Sequence, residues 1–385
     1  MEIESSASAE LKTCTGGADG VPKTAGGARG VGTGKEVIGG KVGANTRREG
    51  RPLRVGDERA RRERLLLRDS INSGEGAIPV YRRAWEASFG GVFGSFDDET
   101  ALGPMRYTYG PIPENAVPAS TLQIFSVRVT DLKAGLWWPL HVYGLVATRD
   151  GADHNRNFLF RRTRDNCQIL TKEDPVLLLT GPSRAVLLAA LVTFEIQLLV
   201  KSKTKFADEV LASKVFDFHQ GSGREDSICT RIPYKHCTLE FVLASLRHSV
   251  EATVTVQLVD GSWPDGHQGQ VFTSTDDTKD TKMLLLDCRD GRMPIGPDGM
   301  FVLSRRVVSA ELGGRDKLMV SVQAHRVGFL TRNQAVFEPK VSGTSVGMCD
   351  LRFCKMQVTV AWSLLSTCGG NVCFSPKMSK LVFDK

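Results

Sequence analysis

The chain has 385 residues and a mass of 42.0 kDa, and its 50 basic against 43 acidic side chains leave a formal charge of +7. This length suits two to three domains, and 41% hydrophobic residues exclude a fibrous or wholly disordered chain. No run reaches the roughly 18 apolar residues of a membrane helix.

The segment 1–56 is Gly-rich, with few groups to bury, and is expected to be a disordered tail. It opens Met1-Glu2-Ile3-Glu4, without the apolar stretch of a secretory signal, so a cytoplasmic protein is expected, with the nucleus open and secretion excluded. Its Gly30-Val31-Gly32-Thr33-Gly34-Lys35 stretch fails as a phosphate loop, because Arg29 and Glu36 stand where Gly and Ser/Thr belong.

The positive charge is concentrated between Lys41 and Arg68, where ten basic residues face four acidic ones. Arg47, Arg48, Arg59, Arg61, Arg62 and Arg64 form a basic arm suited to RNA, the ribosome or an acidic protein. The segment 57–119 is read as a short basic helix over Glu58–Asp69 followed by a Pro-rich connector.

From Ser120 the pattern becomes valine-rich and strand-like. Runs at Leu122–Val129, Leu145–Thr148, Phe158–Phe160, Val176–Leu179, Val186–Leu188 and Phe194–Val200 alternate with turn signals such as Asp150-Gly151 and Gly181-Pro182. A second series follows at Val250–Val259, Gln270–Thr273, Met283–Leu286, Phe301–Leu303, Arg306–Val308, Leu318–Val322 and Met356–Leu365. Short strands at this spacing predict an all-β chain built of sandwiches.

The two series match. Trp138-Pro139, Gly144, Val146 and Thr148 recur with the same spacing as Trp263-Pro264, Gly269, Val271 and Thr273, about 125 residues later. Val215-Phe216-Asp217 is echoed by Val336-Phe337-Glu338, and Cys237-Leu239-Phe241 by Cys349-Leu351-Phe353. The expected architecture is two tandem, duplicated β-sandwich-like repeats, 120–244 and 245–366, with a tail at 367–385. The repeats either sit side by side or exchange strands into a shared layer.

Four side-chain groups invite a functional reading. Trp138 and Trp263 hold equivalent places and are expected in the cores, whereas Trp137, opposite Ser262, should point outward as a binding anchor. Asp150 and Asp153, with Asp276 and Asp277 at the matching place, make acidic loops of the kind that hold calcium, although such loops are usually hydrated turns. Cys349, Cys354, Cys368 and Cys373 form two Cys-x4-Cys pairs, too loosely spaced to predict zinc. The seven histidines suggest no catalytic pairing. No catalytic residue, metal or cofactor is therefore predicted.

Several stretches resemble a large family of grass proteins carrying a domain of unknown function. They include Leu122-Gln-Ile-Phe-Ser-Val-Arg-Val, Tyr143-Gly-Leu-Val-Ala-Thr-Arg-Asp150, Leu179-Thr-Gly-Pro-Ser-Arg184, Leu303-Ser-Arg-Arg-Val-Val308 and Cys354-Lys-Met-Gln-Val-Thr-Val-Ala-Trp-Ser363, within about 75 to 366. The resemblance implies a stress or defence setting. Some members of that family carry an N-terminal ribosome-inactivating domain that depurinates ribosomal RNA. Its Glu-x-x-Arg signature is approached here only by Glu58-x-x-Arg61, with no domain around it, so N-glycosylase activity is not expected.

The expected function is a non-enzymatic interaction protein with a protein partner and no membrane contact. The alternatives are an accessory of ribosome inactivation or translation, and a carbohydrate-binding or hydrolase-like sandwich.

Overall fold

The computed structural model describes residues 76–367, apart from 134, 190, 220–227, 277–280, 289–291, 314–315 and 327. Among these residues one α-helix, α1 (Ala77–Phe93), precedes sixteen strands. The first series is β1 (Ala119–Thr130), β2 (Leu140–Arg149), β3 (Asn157–Arg162), β4 (Gln168–Leu170), β5 (Val186–Leu187), β6 (Leu191–Val200), β7 (Glu209–His219) and β8 (Ile228–Pro233). A 24-residue strand, β9 (Thr238–Gly261), joins it to the second. That second series is β10 (Gln268–Thr275), β11 (Met283–Cys288), β12 (Val307–Glu311), β13 (Leu318–Arg326), β14 (Phe329–Phe337), β15 (Ser342–Asp350) and β16 (Cys354–Ser363).

The strands form three antiparallel sheets, as the valine-rich alternation implied. β3-β2-β6-β7, with β4 beside β2, make one outer sheet, and β11-β10-β13-β14 make the other. The third sheet, β15-β16-β9-β1-β5 with β8 and β12 also on β9, is common to both halves. Of the two expected arrangements, the shared layer is the one observed. The 244/245 boundary falls inside β9, whose first half pairs with β1 and β8 and whose second half pairs with β12 and β16. Near the change of partner His248 takes a left-handed φ of 47°, and the β1–β9 register slips between Thr121 and Ala119. Such a bulge bends a strand and increases its twist, which lets one strand serve two sandwiches.

Each half follows the same pairing scheme. β1 pairs with β5 and with the first half of β9; the second half of β9 pairs likewise with β12 and β16. The β2–β3, β2–β6 and β6–β7 ladders are matched by β10–β11, β10–β13 and β13–β14.

Each sandwich encloses its own core. In the first, Phe194 stacks on Phe216 at 4.7 Å, and both meet Phe241 of the shared sheet edge-on. In the second, Val254, Val256, Val358 and Val360 of the shared sheet face Val320 and Val322. Trp362 is fully buried there, and its Nε1–H donates to Ser345 Oγ at 3.0 Å. Burying one such side chain stabilises by about 1.5–3 kcal/mol.

Three sequence expectations need correction. The connector contains α1, a 17-residue helix whose Trp85 is fully buried. Pro79 lies in the helix's first turn, where its missing N–H costs nothing. The Val176–Leu179 and Phe301–Leu303 runs form only single bridges, Val176 to Arg128 and Phe301 to Ile295. The Cys-x-Leu-x-Phe match is not structural either: Leu239 and Phe241 lie in β9, whereas Cys349 ends β15 and Phe353 sits in the turn before β16. The tail, the basic arm, Glu58–Asp69 and residues 368–385 lie outside the described residues.

Candidate functional site

The loop 131–139 joins β1 to β2 and carries the paired tryptophans. Lys133 anchors it: its backbone N–H donates to His236 O at 2.8 Å and its Nζ to Tyr234 O at 3.0 Å. Trp138 packs half-buried against the first core, and the Trp138-Pro139 peptide is cis. Trp263 packs against the second core, edge-on to Phe301 and Phe353, with its Nε1–H donating to His267 O. Trp137 projects outward with 80% of its surface exposed, while its counterpart Ser262 is also exposed.

The acidic loop after β2 is not a vacant cation site. Arg184 donates to both oxygens of Asp150, at 2.7 and 2.9 Å, and to Asp153 at 3.0 Å. Asp150 also accepts the backbone N–H groups of Ala152 and Leu187, and Asp153 accepts the Thr100 hydroxyl. Calcium needs six to eight free oxygen ligands; here a buried guanidinium already fills the place of the cation. Burial works to lower the Arg184 pKa, and the Asp150 and Asp153 carboxylates outweigh it and raise that pKa. At the matching loop of the second half, Asp276 accepts the Lys317 N–H at 3.3 Å. Asp277 and Asp280 lie outside the described residues. Among the described residues, no three His, Cys, Asp or Glu side chains are grouped to hold a metal.

A second ionic chain runs beneath α1. Glu195, fully buried on β6, accepts from Arg149 at 2.9 Å and from Arg156 at 2.6 Å. Arg156 continues to Asp97 at 2.8 Å, and Asp97 takes a bidentate contact from Arg82 of α1. That contact holds the Asp97 pKa down at about 2. The aromatic rings of Trp85 and Phe96 lie under the Arg149 guanidinium at 5.2 and 4.1 Å. Across both clusters four arginines face four carboxylates. The Arg82–Asp97–Arg156–Glu195 chain of alternating charges is a structural device that fastens α1 to the first sandwich.

His154 links the two clusters. Its carbonyl accepts from Trp85 Nε1 and Arg149, and its ring stacks on Phe89 at 4.0 Å. Burial pulls its pKa below the usual value, against the pull of Asp150 and Asp153 and with that of Arg149 and Arg184. The unfolded chain therefore takes up the proton first, and the stabilisation is complete above pH ~6.5 and is lost as pH falls through the folded pKa. Glu251 and Asp217 act oppositely, because burial raises both carboxyls. His154 has a left-handed φ of 54°, which asparagine tolerates, and His154→Asn is expected to lose part of the wild-type fall in Tm below pH ~6.5. Parallel melting curves from pH 8 to 5 check this, and identical slopes refute it.

The cysteines Cys349 and Cys354 belong to the second core, where burial pushes both thiols up to about 11. Cys368 and Cys373 lie outside the described residues. One Cys–His approach was not predicted: Cys167 Sγ lies 3.9 Å from His141 Nδ1.

Sequence reasoning also missed Arg305 and the cavity beside it. The cavity, about 300 Å³, is bounded by Phe125 and Ser126 of β1, the segment 174–179, Lys282, and Leu284 to Asp287 of β11. Arg305 forms part of its wall, 3% exposed, and donates to Ile124 O at 2.7 Å and Phe125 O at 3.2 Å. Those carbonyls flank the bulge at which β1 slips against β9. The legible signal was Ser183-Arg184-Ala185-Val186, repeated as Ser304-Arg305-Arg306-Val307. Both arginines stand two residues before the strand that pairs on the shared sheet, β5 or β12.

A family model described as a domain of unknown function, DUF6598, matches residues 121–360, which span both sandwiches. The chain belongs to the DUF6598 family. Among solved structures it is similar to human GIVD cytosolic phospholipase A2, at 7% identity and a TM-score of 0.23, over 66% of this chain and 33% of that one. The match thus spans about a third of the phospholipase. It is also similar to the paired C2 domains of extended-synaptotagmin 2, at 10% identity and a TM-score of 0.24, over 70% of this chain and 100% of that one. Likenesses this weak carry no argument about the DUF6598 chain. No curated protein matches it. Among the described residues no helix is long and apolar enough to cross a membrane.

Proposed function

We propose that this DUF6598 protein is a non-enzymatic interaction module that seats a protein partner on the β1–β2 loop. One observation carries the reading: Trp137 is 80% exposed on a loop anchored by Lys133, beside a Trp138 that packs on the core. An exposed Trp supplies large contact area at low entropic cost, and such residues dominate binding energy when covered. The matched pairing of the two halves supports descent from a duplicated sandwich, with Trp137 added to the first copy alone. The basic arm, Arg47 to Arg68, would add long-range attraction to an acidic partner.

Trp137→Ala is expected to weaken partner capture by at least about 1 kcal/mol while leaving Tm unchanged, because the ring is largely uncovered in the free protein. Quantitative affinity capture from cell extract, wild type beside variant, checks this. An unchanged capture profile, or a collapse of Tm, ends the anchor reading. The arm is tested by comparing the full chain with one starting at Gly76, since a later start would remove Arg82, Trp85 and Asp97 from the fold. Loss of the arm should flatten the salt dependence of capture.

A further inference from the structure

Arg184 and Arg305 each stand two residues before the strand that pairs on the shared sheet, and their surroundings differ. Arg184 is matched by Asp150 and Asp153. The position corresponding to Asp150 in the second half is Thr275, and among the described residues no carboxylate pairs with Arg305. Its terminal nitrogens cap two carbonyls, but its Nε is buried without a partner, and burial alone acts on its pKa, lowering it to about 9. The side chain therefore stays cationic at neutral pH. A buried, uncompensated charge is costly unless something neutralises it.

The cavity borders this guanidinium side chain, although Nε itself is covered by protein. Its walls are mainly apolar, formed by Leu177, Leu179, Leu284, Leu286 and Phe125, and its volume is at the lower end for small-molecule sites. Gln168 in the wall is already used, donating to Val176 O and accepting from Leu178 N–H. Asp174, Asp287 and the exposed Lys282 also line it; Asp287 accepts a hydrogen bond from Gln270, and the Lys282 ammonium lies over the Phe272 ring. Neither aspartate acts on Arg305. The geometry leaves an apolar slot with one unanswered cation in its wall.

We propose that this cavity between β1, β11 and the segment 174–179 binds a small anion with an apolar body, its head group set against Arg305 and its body between the leucines. A medium-chain carboxylate is the simplest member of that class. The site is separate from the Trp137 surface, so either reading can fail without the other.

Isothermal titration of the full chain with sodium octanoate, 1-octanol and octylamine tests the proposal. Octanoate should bind saturably with one site, at least about tenfold tighter than octanol, which has the same body without the charge. Octylamine should not bind. Leu284→Trp, which fills the slot from the edge strand, should abolish octanoate binding while leaving Tm within a few degrees. Arg305→Met should erase the preference for octanoate over octanol. No octanoate binding to wild type, equal binding of octanoate and octanol, or full binding to the folded Leu284→Trp protein would each overturn it. If Arg305→Met does not fold, the head-group comparison and Leu284→Trp still decide the question.

Discussion

Replacing Glu195 with alanine is expected to destabilise the protein by about 3–5 kcal/mol, the usual cost of removing one partner from a buried ionic cluster. Glu195 is fully buried and is the acceptor that neutralises both Arg149 and Arg156. Without it, Arg149 keeps only the carbonyls of Phe96 and His154, and Arg156 keeps only Asp97, whose carboxylate is partly exposed, in a site closed by Trp85 and Phe96. Glu195→Gln keeps one acceptor and should cost less. Arg82→Ala is the control, because its contact with Asp97 is partly exposed and such pairs contribute ~0–1 kcal/mol. Urea unfolding of the three variants checks the order. An alanine cost below about 1 kcal/mol would show that water already reaches the cluster.

That cluster illustrates where sequence reading stops. Asp150 and Asp153 read as a hydrated turn, because composition cannot show that Arg184, 34 residues from Asp150, folds back onto them. Helix α1 was hidden for a related reason. Its sequence carries Pro79 near the start and Gly90-Gly91 near the end, and its stability comes from burying Ile78, Val80 and Trp85 rather than from propensity. The strands missed were the edge strands β4, β7, β8, β14 and β15, together with the first half of β9, which β1 and β8 flank. β14 and β15 bury side chains on one face only, and β15 alternates exposed Val346 and Met348 with half-buried Ser345 and Gly347. The central strands were legible because one valine-rich face alternates with a polar one, as in Val250, Ala252, Val254 and Val256 against Glu251, Thr253 and Thr255. The Trp-Pro match was legible because each half places a Trp-Pro pair before the strand, β2 or β10, that is paired on both sides in its outer sheet, although of the two only the Trp138-Pro139 peptide is cis.

The repeat also equates two glycines that the structure separates, and this gives the second large expected effect. Gly144→Ala should cost roughly 4 kcal/mol or more, and Gly269→Ala about 1–3 kcal/mol. Gly144 lies in β2 with φ of 116°, and a Cβ there would stand 2.0 Å from the Gln197 carbonyl oxygen on β6. Neither atom can yield without breaking the ladder at the centre of the first outer sheet, and the backbone conformation is itself strained for any L side chain. Gly269 has no such φ; its Cβ would meet the Trp263 ring and Met293 Sδ, each at 2.7 Å. The thioether can swing away, and Trp263, half-buried at the rim of the second core, can tilt. Gly144→Ala should therefore lower Tm steeply, whereas Gly269→Ala should mainly shift the tryptophan fluorescence of an otherwise folded protein. Equal losses of Tm would mean that β2 can open as easily as a side chain can turn, which the register of β2 against both β3 and β6 argues against.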